Sequence, residues 1–168
     1  MPVVSSVGTI GKMAVDGVNI YWTEAGVDGR LLKAELASGA ETILASGLNN
    51  ASRLAIDATS VYWTEVGAVK KVGINDGVVT TLASGLSSPF DIAVVGTNVY
   101  WTEANASGAI KKIGVDGGVI TSLVSAVNNP TFMAVDGSDV YWTTAGTKTL
   151  NKIGVNGGAV STLATELS

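Results

Sequence analysis

The 168-residue sequence contains no histidine and no cysteine. Their absence excludes the mechanisms that need either side chain, among them the Ser-His-Asp triad, cysteine proteases, zinc fingers and disulfide frameworks. Charged residues make up 14% of the chain, against about 25% in an average protein, and hydrophobic residues make up 46%. Little charge combined with high hydrophobicity predicts a folded chain rather than a disordered one.

The sequence also lacks features of several partner classes. A net charge of −4 predicts no nucleic-acid binding. No apolar run approaches the roughly 20 residues of a membrane span, so no membrane contact is predicted. The first residues show neither the basic nor the apolar segment of a signal peptide, and the compartment is not predicted.

Four copies of a repeat account for nearly the whole chain. The tripeptide Tyr-Trp-Thr recurs at intervals of about 40 residues and contains every tyrosine and tryptophan. Its copies are residues 21–23, 62–64, 100–102 and 141–143. We therefore predict a single domain, 1–168, made of four repeats. The predicted repeat bounds are about 9–47, 48–85, 86–127 and 128–168.

Each repeat has the pattern of four short antiparallel strands. β-Branched and aromatic residues dominate the predicted strands, and Asn, Asp and Gly dominate the turns between them. Such a unit has two apolar faces and must stack between neighbours to bury them. The period and the strand number predict an all-β fold, a β-propeller with four four-stranded blades per chain. An open β-solenoid is the competing fold, although its repeats are usually shorter.

The motifs resemble the YWTD repeats of LDL-receptor-type β-propellers, and related bacterial propeller repeats. The resemblance is carried by Tyr-Trp-Thr-Glu and by a downstream Lys-Lys-Ile-Gly-Val-Asp-Gly-Gly segment, and it extends over all four copies. It implies a propeller that binds other proteins. Two features differ from the family pattern. The fourth motif position holds Glu or Thr instead of Asp, and the familiar YWTD propeller has six blades where this chain supplies four.

The number of blades leaves three arrangements open. Four blades close on themselves, two chains form one eight-bladed homodimeric ring, or the chain is part of a larger propeller. The low charge argues against an open arc with bare terminal blades.

The positions that differ between repeats are better candidates for a binding site than those that recur. One such position comes just before the first strand of each repeat. It is occupied by Lys12, Arg53, Asp91 and Phe132. In a closed propeller these side chains would surround one mouth of the channel, where they could hold an anionic or polar small ligand. The alternative is a plug in which Lys12 or Arg53 forms a salt bridge with Asp91. The loops of the same face would add Asn50 and Asn129 as ligand-binding residues.

The recurring residues are predicted to be structural. The tyrosines and tryptophans should fill the core between blades. The recurring aspartates should bind the N–H groups of turns. The recurring glutamates should form cross-strand pairs with one set of lysines. That set is Lys33, Lys71, Lys112 and Lys152.

These observations favour a non-catalytic binding module that recognises a protein or a small polar ligand. No catalytic residue, metal ligand or cofactor is predicted. A repeat assembly without a ligand, natural or engineered, is one alternative. A propeller hydrolase or lyase is the other, and the missing histidine argues against it.

Overall fold

The computed structural model describes residues 9–167. All the regular structure in this range is β-strand, arranged in four antiparallel sheets of four strands each. Within each sheet the strands lie side by side in chain order. The described residues contain no helix of the kind that could cross a membrane.

Each sheet is one repeat of the sequence and is called a blade. Blade one contains β1 (Ile10–Val15), β2 (Asn19–Glu24), β3 (Gly29–Glu35) and β4 (Glu41–Leu48). Blade two contains β5 (Arg53–Ile56), β6 (Ser60–Glu65), β7 (Ala68–Gly73) and β8 (Val79–Ser84). Blade three contains β9 (Pro89–Val95), β10 (Asn98–Glu103), β11 (Gly108–Gly114) and β12 (Gly117–Val127). Blade four contains β13 (Pro130–Val135), β14 (Asp139–Thr144), β15 (Thr149–Gly154) and β16 (Ser161–Ala164).

The turn residues explain where the hairpins bend. In the turn between β7 and β8, the Asp76 carboxylate accepts a hydrogen bond from the Val78 N–H at 2.9 Å. Gly77 lies between them with a φ of 64°, a conformation that costs glycine little. Equivalent Asn, Asp and Gly residues in the other blades therefore favour hairpins at the same positions of the repeat.

Adjacent Tyr and Trp residues point to opposite sides of a strand, so every blade has a Tyr face and a Trp face. The Tyr face of each of the first three blades packs against the Trp face of the next. The first interface joins Tyr21 and Leu31 to Leu54 and Trp63. The second joins Tyr62 and Val69 to Ile92 and Trp101. The third joins Tyr100 and Ile110 to Val140 and Trp142. Three of the four motif tyrosines and three of the four tryptophans therefore lie in the core between blades, as the sequence predicts, whereas Trp22 and Tyr141 do not.

Candidate functional site at the inner mouth

The first strands of the four blades lie next to one another. β5 packs between β1 and β9, and β9 packs against β13. The four variable residues predicted to form a site lie near the start of these strands. This group, named the inner mouth, consists of Lys12, Arg53, Asp91 and Phe132.

Asp91 joins three blades. Its carboxylate is buried and lies 3.3 Å from the Lys12 ammonium group of blade one. Its other oxygen accepts a hydrogen bond from the Met133 N–H of blade four at 2.9 Å. The Asp91 N–H itself donates to the hydroxyl of Thr102 at 3.0 Å. The Lys12–Asp91 pair is the salt bridge of the predicted plug, and both oxygens of the one carboxylate among these four residues are bonded.

Arg53 lies between two aromatic rings. Its guanidinium carbon is 4.9 Å from the ring centre of Phe90 and 5.2 Å from that of Phe132. The two rings meet edge to face with their centres 5.8 Å apart. Such cation–π contacts hold the guanidinium in place without neutralising its charge.

The Nε of Arg53 is buried and has no hydrogen-bond partner. No carboxylate of residues 9–167 forms an ion pair with this arginine. By contrast Arg30, the other arginine of the chain, donates from its Nε to Glu24 at 2.7 Å. Arg53 is therefore a cation that is held in place by two aromatic rings and has no acidic partner within the described residues.

The structure brings the four predicted mouth residues together in two linked groups. Lys12 contacts Asp91, Arg53 contacts Phe132, and Asp91 binds the backbone of Met133 beside Phe132. The prediction missed Phe90, the second ring on Arg53. The sequence contains a signal for it, because Phe90 also varies between repeats and directly precedes Asp91.

Asn50 and Asn129 lie in the loops that lead into β5 and β13. Both have a positive φ, 53° and 57°, which asparagine tolerates better than most residues. The Asn50 N–H donates to the carbonyl of Gly26, and the Asn129 N–H donates to the carbonyl of Asn105. These bonds tie the two sets of loops together at one end of the blades, which gives both asparagines a role in the turn.

A cavity of about 370 Å³ lies beside Phe132. Thr131, Thr143 and Leu167 line it, and Lys148 adds a cation at its edge. Phe132 is 56% exposed, so part of this residue is available to a ligand.

The predicted pairing of recurring glutamates with Lys33 and its equivalents is wrong. Glu24 pairs with Arg30, Glu65 with Lys70, and Glu103 with Lys111. Lys33 and its equivalents lie opposite the motif tyrosines, as Lys71 lies opposite Tyr62, and therefore on the Tyr face. Because side chains alternate between faces, the cation next to the glutamate is the one at the neighbouring or diagonal position on the adjacent strand.

The predicted binding of turn N–H groups by the recurring aspartates is present. The Asp16 carboxylate accepts hydrogen bonds from the N–H groups of Val18 and Asn19, and from the hydroxyl of Tyr21 at 2.7 Å. The bonds from Asn19, Tyr21 and Val18 lower the pKa of Asp16 to about 2. Burial and the hydrogen bond to Asp16 raise the pKa of Tyr21 to about 12. These aspartates stabilise the hairpins at the end of the strands opposite to the inner mouth.

The acidic side chains are dispersed over the blades. In the described part of the chain, no group of three or more acidic, histidine or cysteine side chains is suited to holding a metal ion.

Comparisons with known proteins show the class of fold. No protein-family model matches the sequence, and no curated protein matches it either. Solved structures do match. A chain from the crystal structure of a nidogen/laminin complex is 16% identical with a TM-score of 0.65, and the alignment covers 96% of this chain and 81% of that one.

Two further solved structures match the chain with similar identities but different coverage of their own length. TolB from Acinetobacter baumannii is 17% identical with a TM-score of 0.73, and the match covers 97% of this chain but 45% of TolB. The computationally designed Ika4 protein is 16% identical with a TM-score of 0.72, and the match covers 99% of both chains. At these identities the likeness shows the fold alone. The chain is an all-β protein of four β-propeller blades, as the repeats predict, and a binding or a structural role is compatible with that fold.

Proposed function

We propose that this chain is a non-catalytic binding module whose inner mouth binds small anions that carry a carboxylate or phosphate next to an apolar group. The observation that carries the proposal is the unpaired Arg53, held between Phe90 and Phe132. The ligand class follows from the chemistry of this arrangement.

A guanidinium offers several N–H donors in one plane, a geometry that fits two oxygens of a carboxylate or phosphate. The buried Nε of Arg53 has no acceptor in the protein, and an unsatisfied buried donor costs about 1–3 kcal/mol. Arg53 as a whole is only partly buried, so an anionic ligand would pair with its guanidinium from the accessible side. Lys12 is partly exposed beside its partner Asp91 and adds positive potential to the same mouth.

The apolar part of the ligand would lie on Phe132. Phe132 is more than half exposed and borders the 370 Å³ cavity. A ligand with an aromatic or alkyl group could therefore bind the arginine and the ring together. A protein partner would present the same chemistry through an acidic side chain or its terminal carboxylate.

Binding fits the mouth better than catalysis does. General acid–base chemistry needs a group that is free to exchange a proton with the substrate. The Asp91 carboxylate is buried and already bonded to Lys12 and to Met133. Arg53 and Lys12 can hold an anion, but the four residues of the mouth include no second carboxylate to act with them.

A purely structural role is the second candidate, and Asp91 favours it. This carboxylate holds blades one, three and four together. If the inner mouth serves only to join the blades, Arg53 needs no ligand, and Phe90 and Phe132 alone are sufficient to hold its side chain.

Calorimetric titration separates the two roles. The probes are phenyl phosphate, inorganic phosphate and benzyl alcohol, which carry both groups, the anion alone and the ring alone. We expect saturable binding of phenyl phosphate, weaker binding of inorganic phosphate and none of benzyl alcohol. Arg53→Gln should weaken phenyl phosphate binding at least tenfold, and Phe132→Ala should remove its advantage over inorganic phosphate.

Lys71→Gln is the matched control, because it removes one positive charge away from the mouth, where Lys71 bonds to the exposed Asp116. It should leave binding unchanged. Equal binding by the Arg53→Gln variant would overturn the proposed site. No binding of phenyl phosphate by the unmodified chain would favour the structural role.

A further inference from the structure

The Tyr face of blade four differs from the Tyr faces of the other blades. Tyr21, Tyr62 and Tyr100 are buried, whereas the equivalent Tyr141 is only partly buried. Leu163 shows the same contrast, since it is 49% exposed while its equivalent in blade one, Leu44, is buried. An apolar cavity of about 210 Å³ marks the surface around Tyr141. The last blade therefore presents a face built for a neighbour.

The lysines of the Tyr faces show the same contrast. Lys33 donates to the carbonyl of Ile74 in the next blade at 3.1 Å, and Lys112 donates to that of Val155 in its next blade at 2.7 Å. The corresponding Lys152 instead bonds to Asp139 within its own blade. Within residues 9–167, Lys152 therefore makes no bond to another blade.

Blade one has exposed apolar residues on its Trp face, the face that would receive a preceding blade. Met13 is 56% exposed, although its equivalent Leu54 is buried against blade one. Leu36 is 43% exposed, although its equivalent Ile74 is buried. Val15 is exposed as well, while Trp22 at the centre of this face is buried. The edge of the face is therefore open although its centre is covered.

The blades of one chain do not satisfy each other's open surfaces. Within residues 9–167, each core cluster that joins two blades joins consecutive ones. Trp22 clusters with Ile20, Leu32 and Ala34 of its own blade. Blade four therefore needs a partner with a Trp face, and among the four described blades the Trp face with an open edge is that of blade one.

We propose that two copies of this chain bind head to tail. The tail face, formed by Tyr141, Lys152 and Leu163 of one copy, would contact the head edge, formed by Met13, Val15 and Leu36 of the other. Each seam would use the edge positions of the three interfaces within the chain, around a Trp22 that is already covered. Lys152 would gain the carbonyl of Leu36 in the second copy, the position that Ile74 holds for Lys33.

Two such seams related by a twofold axis close an eight-bladed ring. A ring leaves neither surface exposed, whereas a single seam would leave one of each. Each copy would then contribute its own Lys12, Arg53, Asp91 and Phe132 to a shared mouth.

Size-exclusion chromatography with light scattering, at a series of protein concentrations, measures the mass of the protein in solution and tests the proposal. We expect a mass of twice 17.0 kDa. Leu163→Glu in the tail face and Met13→Glu in the head edge should each reduce the mass to that of one chain, with the circular dichroism unchanged. Val119→Glu is the control, because Val119 is highly exposed on β12 and belongs to neither surface.

Mixing the two single variants tests the head-to-tail pairing itself. In a mixed dimer one seam carries both substitutions and the other carries none. We therefore expect the mixture to recover dimers that neither variant forms alone. A contact of tail face with tail face would be broken by Leu163→Glu alone and would overturn the proposal. A single-chain mass for the unmodified protein at every concentration, or a mass that grows without limit, would overturn it too.

Discussion

At the scale of the residue, Asp16 shows how one side chain can define a hairpin. Its carboxylate binds two turn N–H groups and the hydroxyl of Tyr21, which lies on the partner strand. Asp136 repeats the arrangement with Ser138, Asp139 and Tyr141. Blade three has Val95 in place of the aspartate, and its hairpin still forms. The hydrogen bonds of the aspartate therefore stabilise the hairpin but are not required for it to form.

The hydrogen bonds of Asp16 predict acid sensitivity. They hold its pKa at about 2 in the folded chain, against about 3.9 in an unfolded one. A lowered folded pKa contributes stability that is present above the unfolded value and is lost as the pH falls toward 2. After allowance for solvent screening, the contribution is about 1 kcal/mol.

Urea unfolding between pH 7 and pH 2 measures this dependence. Asp16→Asn should lower the free energy of unfolding at pH 7 and make its decline toward pH 2 shallower. Asp28→Asn is the control, because Asp28 is exposed in a loop and no hydrogen bond of its side chain occurs in the described range. An identical pH dependence in the Asp16→Asn variant and the unmodified chain would contradict the assignment.

The residue scale is also where sequence reasoning failed. It predicted pairs between the recurring Glu and Lys residues, but it paired Glu65 with Lys71 and not with Lys70. Both lysines lie on the strand next to the glutamate, and one residue of difference puts them on opposite faces. The register in which Tyr62 faces Lys71 and Trp63 faces Lys70 decides the pairing, and a single sequence does not contain that register.

At the scale of the element, the buried polar group at the end of the second strand is satisfied in two ways among the blades. Glu24, Glu65 and Glu103 pair with a basic residue on the adjacent strand. Blade four has Thr144 in place of the glutamate and Asn151 in place of the lysine. The Asn151 amide donates to Thr144 at 3.1 Å and accepts from Thr162 at 2.9 Å. A neutral network therefore replaces the ion pair where both members change together.

This exchange predicts a coupled effect in blade three. Lys111→Asn leaves the buried Glu103 without its ionic partner and should cost about 1–3 kcal/mol of stability. Adding Glu103→Thr removes the orphaned charge and installs the pair found in blade four. The double variant should be more stable than Lys111→Asn alone, as measured by urea unfolding. A double variant destabilised by the sum of the two single changes would show that the positions are independent.

At the scale of the whole molecule, the division between repeated and variable positions separates architecture from site. The repeated motif was sufficient to predict the blades, because alternating side chains leave only inter-blade packing for adjacent Tyr and Trp. It was also sufficient to predict that Lys12, Arg53, Asp91 and Phe132 converge. Which of them pair was beyond the sequence, because the contacts join residues from different blades. Asp91 takes Lys12 and leaves Arg53 to the phenylalanines.

How the blades close into a ring could not be predicted from the sequence either. Four repeats were compatible with a self-closed ring, a two-chain ring or a piece of a larger propeller. The exposure of Leu163 and Met13, compared with their buried equivalents, favours a partner at both ends. Such a comparison needs the folded chain, since equivalent residues look alike in the sequence.

If Arg53 is the anion-binding group of the inner mouth, its Nε–H resonance in a nitrogen-15 spectrum should report the ligand. The chain has only two arginines, and Arg30, bonded to Glu24, provides an internal reference. During titration with phenyl phosphate, the Arg53 resonance should shift saturably while that of Arg30 stays in place. Two resonances that both remain still, or that move together in proportion to ionic strength, would show that Arg53 does not bind the anion.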